Sequence, residues 1–179
     1  MKKAFKIPLT LGMLVALVST VTLPAAAGTP DHAGSMAADV LPFNGTLEGR
    51  HVSRTPVDPP VVFDRFEAQG EATQLGHFEL VIEATVDFGS RPVIGAGTYT
   101  FTAANGDRLV ADHTGFSALA GPGIVLITEH AIIDPDRSTG RFAGAEGTLT
   151  VERLADAATG VGGVTAGTFE GTISIPGSR

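Results

Sequence analysis

Carboxylates and imidazoles are the main candidates for chemistry in this chain, because it contains no cysteine. Glu129 lies in the run "GIVLITEHAII" (residues 123–133), which has the alternation of a β-strand. It shares one face of that strand with four apolar residues: Val125, Ile127, Ala131 and Ile133. On an inward face, burial would raise the pKa of Glu129 and suit it to act as an acid or base. On an outward face it would be an ordinary surface carboxylate, and a strand apolar on both sides leaves both alternatives open.

The five histidines have no zinc-ligand spacing, such as His-x-His or His-Glu-x-x-His. His51 and His130 fall on strand faces that we assign to the interior, and His113 is a third candidate on a strand of ambiguous orientation. Imidazoles that converge inside a barrel could bind metal or transfer protons, whereas isolated ones would be hydrogen-bonded interior residues. We take His113 and His130 as catalytic candidates with Glu129, and His51, Tyr99 and His130 as ligand-binding candidates.

The run "DPDRSTG" (residues 134–140) places Asp134, Asp136 and Ser138 at alternate positions, as a calcium-binding loop would. However, its glycine comes one position late, and the twelfth position is Ala145 instead of glutamate. The alternative is an Asp-Pro turn in which the side chains bond their own backbone. We interpret the run as this turn and predict no metal site and no cofactor, with Asp134 and Asp136 as the candidate ligands if a metal did bind.

The first 27 residues have the three parts of a secretory signal peptide: a basic head, an apolar middle and a small-residue site ending at Ala27. We expect cleavage there, secretion or release into the periplasm, and no membrane attachment afterwards. The formal net charge of the whole chain is −7, and cleavage would remove every lysine, so an acidic surface would repel nucleic-acid phosphates. Residues 28–41 are small and polar and predict a flexible leader, which leaves residues 42–179 as one domain.

Strand patterns dominate that domain, and the clearest is "HFELVIEATVDF" (residues 77–88), with apolar side chains on alternate positions. Asn105-Gly106 marks a hairpin, because both residues tolerate positive φ. About eight consecutive strands with regular turns predict an all-β antiparallel fold, either an up-and-down barrel or a sandwich. Inward glycines favour the barrel. We also expect residues 53–63 to form an extended proline-rich loop, and residues 123–133 to form the most buried strand.

Four short stretches carry a resemblance to a known family: "STGRFAGAEGTL" (138–149), "GEATQLGHF" (70–78), "ANGD" (104–107) and "GTFEG" (167–171). The first resembles a glycine-rich signature of the allene oxide cyclase and dirigent-type barrels, and all four resemble small secreted bacterial relatives. The resemblance implies an eight-stranded, allene oxide cyclase/calycin-like barrel with an apolar lumen, often oligomeric. Cyclase activity does not carry over, because the lumen residues of those enzymes have no matching positions here.

Of three functions compatible with the sequence, the first below is our prediction and the other two are alternatives. The chain could be a non-catalytic barrel that binds a small apolar ligand in its lumen. It could be an isomerase or cyclase in which Glu129, His113 or His130 handles protons. It could also be a structural module that forms homo-oligomers through its outer faces.

Overall fold

The computed structural model describes residues 39–177, and within this range nine β-strands form a single sheet. The strands are β1 (Val40–Pro42), β2 (Gly45–Asp58), β3 (Val61–Ala72), β4 (Gly76–Asp87), β5 (Val93–Ala103), β6 (Arg108–Gly121), β7 (Ile124–Ile133), β8 (Glu146–Asp156) and β9 (Val164–Ser174). A short 3₁₀ helix, Gly140–Phe142, precedes β8. No helix within the described residues has the length and hydropathy of a membrane span. The predicted signal peptide lies outside the described residues.

Closure of the sheet depends on β9, which pairs with both β8 and β2. Strands β2 to β9 each run antiparallel to the next, so the sheet becomes a closed eight-stranded barrel. Strand β1 is the additional strand, and it extends the line of β2 by pairing with the end of β9, with Leu41 opposite Ile173. The up-and-down barrel predicted from the sequence is confirmed.

The alternation in β4 shows why these residues form strands around a common core. Phe78, Leu80 and Ile82 are buried inside the barrel, whereas Glu79 is exposed on the outer wall. This is the period of two that places successive side chains on opposite faces of a strand.

One end of the barrel is filled by aromatic rings. Contacting rings have centroids 5.1–6.1 Å apart, in edge-to-face and tilted arrangements, and they belong to Phe43, Phe78, Phe101 and Phe169. The connections after β3, β5 and β7 all lie at this end, which we call the closed end. The opposite end, which we call the mouth, carries the connections after β2, β4, β6 and β8.

The glycine-rich run before β8 seals the closed end. Phe142 belongs to the 3₁₀ helix and is fully buried in the same core cluster as the aromatic rings. Gly140 has a φ of +62°, and a Cβ there would lie 1.8 Å from a carboxylate oxygen of Asp107. The glycine therefore allows both the left-handed turn and the close approach of the Asp107 side chain. The run therefore has a structural role at this end of the barrel.

Three expectations from the sequence are wrong. Residues 28–38 of the expected leader lie outside the described residues, but its expected end is too late, because Val40 and Leu41 already pair with β9. Residues 53–63 are not a proline-rich loop, since β2 continues to Asp58 and β3 begins at Val61. Strand β7 is not buried on both faces: its outward Ile132 is 67% exposed, because nothing packs on that side of the wall among the described residues.

Replacing Phe142 by alanine is expected to lower the free energy of unfolding by about 3–5 kcal/mol, because loss of the buried ring leaves a cavity in the core at the closed end. The matched control is Phe116→Ala, since Phe116 is 44% exposed and its loss should cost about 1 kcal/mol or less. Urea unfolding followed by circular dichroism measures both values. Equal destabilisation by the two substitutions would contradict the role given to Phe142.

Candidate functional site

A cavity of about 160 Å³ occupies the mouth half of the barrel lumen. Apolar side chains from several strands form much of its wall: Phe66, Ala84, Val86, Val93, Val125 and Ile127. Charged and polar side chains also line it, among them His51, Arg54, Asp64, Glu129 and Arg153. The cavity is therefore amphipathic, with a largely apolar wall and several ionic groups, of which Asp64, Glu129 and Arg153 are buried.

Glu129 lies in the interior face of β7 and is 5% exposed. Its carboxylate accepts hydrogen bonds from Arg153 Nε at 3.0 Å and from Arg153 Nη2 at 3.4 Å. The hydroxyl of Tyr99 donates a further hydrogen bond to the same carboxylate. The carboxylate thus has three donors on its protein side while it also borders the cavity.

Arg153 projects inward from β8, in the alternation of Leu149 and Val151. Its Nη1 donates to Thr165 Oγ1 at 3.3 Å, and Thr165 in turn donates to the carbonyl of Leu154 at 2.9 Å. The guanidinium also lies over the ring of Phe66, 4.7 Å from the centroid. These contacts hold the cation in one orientation against Glu129.

Burial and charge act in opposite directions on this cluster. Burial alone would raise the pKa of Glu129, but the charges of Arg153 and His113 and the hydrogen bonds from Arg153 and Tyr99 keep that pKa below its ordinary value of 4.5. Burial, assisted by the negative charge of Glu129, raises the pKa of Tyr99 well above 10.0. At neutral pH the cluster is therefore an ionised carboxylate–guanidinium pair beside a neutral phenol.

His113 lies next to Glu129 of the Glu129–Arg153 pair and is buried on the inner face of β6. Its Nδ1 is 3.3 Å from Glu129 Oε1, and its ring lies 4.4 Å from that of Tyr99, but neither ring nitrogen has an aligned hydrogen bond. Burial lowers the pKa of His113 below 6.5, and the nearby charge of Glu129 only partly opposes this. The imidazole is therefore neutral at neutral pH.

A second ionic cluster lies on the opposite side of Phe66. Asp64 is 2% exposed and accepts two hydrogen bonds from Arg54, at 2.7 and 2.6 Å. His51 Nε2 lies 2.9 Å from the carbonyl of Ser53 and 3.2 Å from Asp64 Oδ1. Both neighbours are acceptors, so Nε2 carries the proton. The His51 ring stacks on Phe66 at 4.6 Å, which connects the two clusters.

The structure brings together part of the predicted site. Glu129 and His113 are adjacent in the interior, which resolves the two orientations left open for Glu129. His51 lines the cavity. Tyr99 is fully buried and bonds Glu129, but it is not one of the side chains that line the cavity.

The interior placement of His130 is wrong. His130 is exposed on the outer wall, where its Nδ1 lies 3.1 Å from Thr150 Oγ1. Successive residues of a strand point to opposite faces, so the inward Glu129 requires an outward His130.

Four participants were missed from the sequence: Arg54, Asp64, Arg153 and Thr165. Arg153 follows Leu149 and Val151 at interior spacing, and Asp64 precedes Phe66 at the same spacing, so a charged residue in an apolar alternation was the available signal. Arg54 carried no such signal. A register shift between His51 and Ser53 reverses the alternation of β2 and turns Arg54 toward Asp64.

The candidate metal ligands form a turn at the closed end. Asp134 Oδ1 accepts the backbone N–H groups of Asp136 and Arg137 at 2.9 and 3.0 Å, and the Arg137 guanidinium binds the other carboxylate oxygen. These are the side-chain-to-backbone bonds of an Asp-Pro turn. Among residues 39–177, no group of three or more His, Asp or Glu side chains is arranged to hold a metal ion.

No family model, curated protein or solved structure matches this chain.

The buried His113 predicts a specific pH dependence of stability. Its pKa is lowered in the folded state, so below about pH 6.5 the unfolded chain binds more protons and the free energy of unfolding falls as the pH falls. His113→Phe removes this group and should reduce the loss of melting temperature between about pH 7.5 and about pH 5.5. His130→Phe is the control, because His130 is exposed. Thermal unfolding at both pH values tests this, and an unchanged slope in His113→Phe would contradict it.

Proposed function

We propose that this protein is an exported barrel that binds a small, mostly apolar molecule in its lumen. The observation that carries the proposal is the cavity of about 160 Å³ at the mouth, walled by apolar side chains and bordered by the Glu129–Arg153 pair. Concave apolar sites with a few convergent polar groups are the usual form of small-molecule sites.

The size of the cavity limits the ligand. An apolar protein cavity of about 150 Å³ is large enough to hold benzene. A ligand confined to this lumen would therefore have about six to ten non-hydrogen atoms, while the mouth allows a longer molecule to extend outward.

A lumen-based isomerase or cyclase is the second candidate, because Glu129 borders the cavity and lies 3.3 Å from His113. Two features make binding the better-supported function. The lowered pKa of Glu129 makes it a weak proton acceptor, and His113 does not belong to the cavity wall.

Export and kinship belong to the proposal as well. Export is supported by the composition of residues 1–27. Kinship with the allene oxide cyclase and dirigent-like barrels is supported by the four short stretches and is compatible with the barrel.

We also propose that copies of the chain associate through the outer wall. Neighbouring outward positions on four strands are apolar, and together they form a band: Ala118, Leu126, Leu154 and Ala166. Leu126 and Leu154 are 38% and 49% exposed. The chain carries a net charge of −7, so this uncharged band is where two copies can meet with least repulsion.

Filling the cavity should abolish ligand binding without unfolding the barrel. Ala155 lines the cavity, so Ala155→Phe places a ring in the space that the ligand needs. Ala96→Phe adds the same ring to the exposed outer wall of β5 and serves as control. Native mass spectrometry after gentle purification should show a co-purified small molecule in the wild type and in Ala96→Phe, and none in Ala155→Phe. Retention of the molecule by Ala155→Phe would contradict lumen binding.

Charge in the apolar band should dissociate the oligomer. The double variant Leu126→Asp, Leu154→Asp places like charges in a contact between copies, whereas Thr150→Asp places one charge on β8 outside the band. Size-exclusion chromatography with light scattering should give a smaller mass for the double variant alone. A wild type that is monomeric at every concentration would contradict association.

A further inference from the structure

The ionic groups around the cavity are already paired with one another. Glu129 is neutralised by Arg153, and Asp64 is neutralised by the two hydrogen bonds from Arg54. Burying a charge costs several kcal/mol unless a partner of opposite sign compensates it. A charged ligand would find no buried partner in this lumen that is not already occupied.

After these two ion pairs are counted, one further charged group lines the cavity, and it is a carboxylate. Asp156 belongs to the cavity wall at the mouth, and its carboxylate accepts hydrogen bonds from the hydroxyl and the backbone N–H of Thr159. Because this acid has no arginine partner among the lining residues, the wall holds three carboxylates against two guanidinium groups. An anion entering the cavity would meet net repulsion.

The cavity can still form hydrogen bonds with an uncharged polar group of a ligand. An arginine has five N–H donors, and those of Arg153 are only partly used by Glu129 and Thr165. Glu129 Oε1 accepts one long hydrogen bond from Arg153 Nη2 and lies 3.3 Å from His113 Nδ1, which has no aligned hydrogen bond to it, so the oxygen retains capacity for another donor. A hydroxyl group can both accept from the guanidinium and donate to the carboxylate.

We infer that the lumen selects uncharged molecules that carry one hydrogen-bonding group, such as a hydroxyl, and that it excludes carboxylates. The inference rests on the proposed function, since it names the ligand class of the same cavity. The polar group faces Glu129 and Arg153, and the apolar part packs against Val86, Val93 and Val125.

Four probes of matched size test the inference on the purified wild-type protein at neutral pH: toluene, benzyl alcohol, benzoate and benzylammonium. Tyr99 is the only tyrosine and bonds Glu129, so its NMR signals report directly on the site. Benzyl alcohol should bind about threefold to tenfold more tightly than toluene, through one net hydrogen bond. Benzyl alcohol should also bind more tightly than benzoate and benzylammonium, by about tenfold or more.

The outcomes separate the two proposals. If none of the four probes shifts the Tyr99 signals or competes with the co-purified molecule, the proposed lumen binding fails. If probes bind but benzoate or benzylammonium matches or exceeds benzyl alcohol, lumen binding stands and the selectivity for uncharged ligands is overturned.

Glu129→Gln provides a second test, because it removes one negative charge and leaves Arg153 without its counter-ion. The ratio of benzoate to benzyl alcohol affinity should rise by about tenfold or more. Glu152→Gln, on the exposed outer face of β8, should leave the ratio unchanged. A folded Glu129→Gln protein with an unchanged ratio would overturn the inference. If that variant does not fold, the wild-type probe series decides.

Discussion

The width of an eight-stranded barrel is the constraint on which the rest of this structure depends. By pairing with both β8 and β2, β9 closes a cylinder whose interior is only wide enough for side chains or one small ligand. The closed end is filled by four phenylalanine rings and by Phe142 from the glycine-rich run. The mouth half is not filled, so the same closure that builds the core also creates the cavity.

The Glu129–Arg153 pair lies at the boundary between these halves. On one side, Tyr99 links it to the aromatic core through the ring of Phe101, 5.9 Å away. On the other side, Arg153 lies over Phe66, which stacks on His51 of the second cluster. Such a buried pair is weak evidence for stability, because desolvation opposes the attraction. Its hydrogen bonds to Tyr99 and Thr165 make it a fixed polar feature beside an apolar space, which is what a selective binding site requires.

Ligand binding fits this arrangement better than catalysis, because the pairing of Glu129 with Arg153 and the burial of His113 shift both pKa values away from neutral pH. Catalytic acids and bases need pKa values near the working pH, whereas the charge of Arg153 keeps the pKa of Glu129 low and burial keeps His113 neutral. At neutral pH neither group carries the extra proton that a general acid would donate, and the low pKa of Glu129 makes it a weak base. The apolar band lies on the outer wall, apart from this chemistry.

The sequence by itself determined the class of fold. Period-two alternation, as in β4, follows from local backbone geometry. The sequence could not determine which face of β7 points inward, because that strand is apolar on both faces. Only closure of the barrel decides which face is inside. Arg54 was equally hidden, since the register shift after His51 reverses the alternation locally. The ion pairs join residues more than twenty positions apart or cross such a shift, so only the tertiary structure could assemble the cavity and its charges.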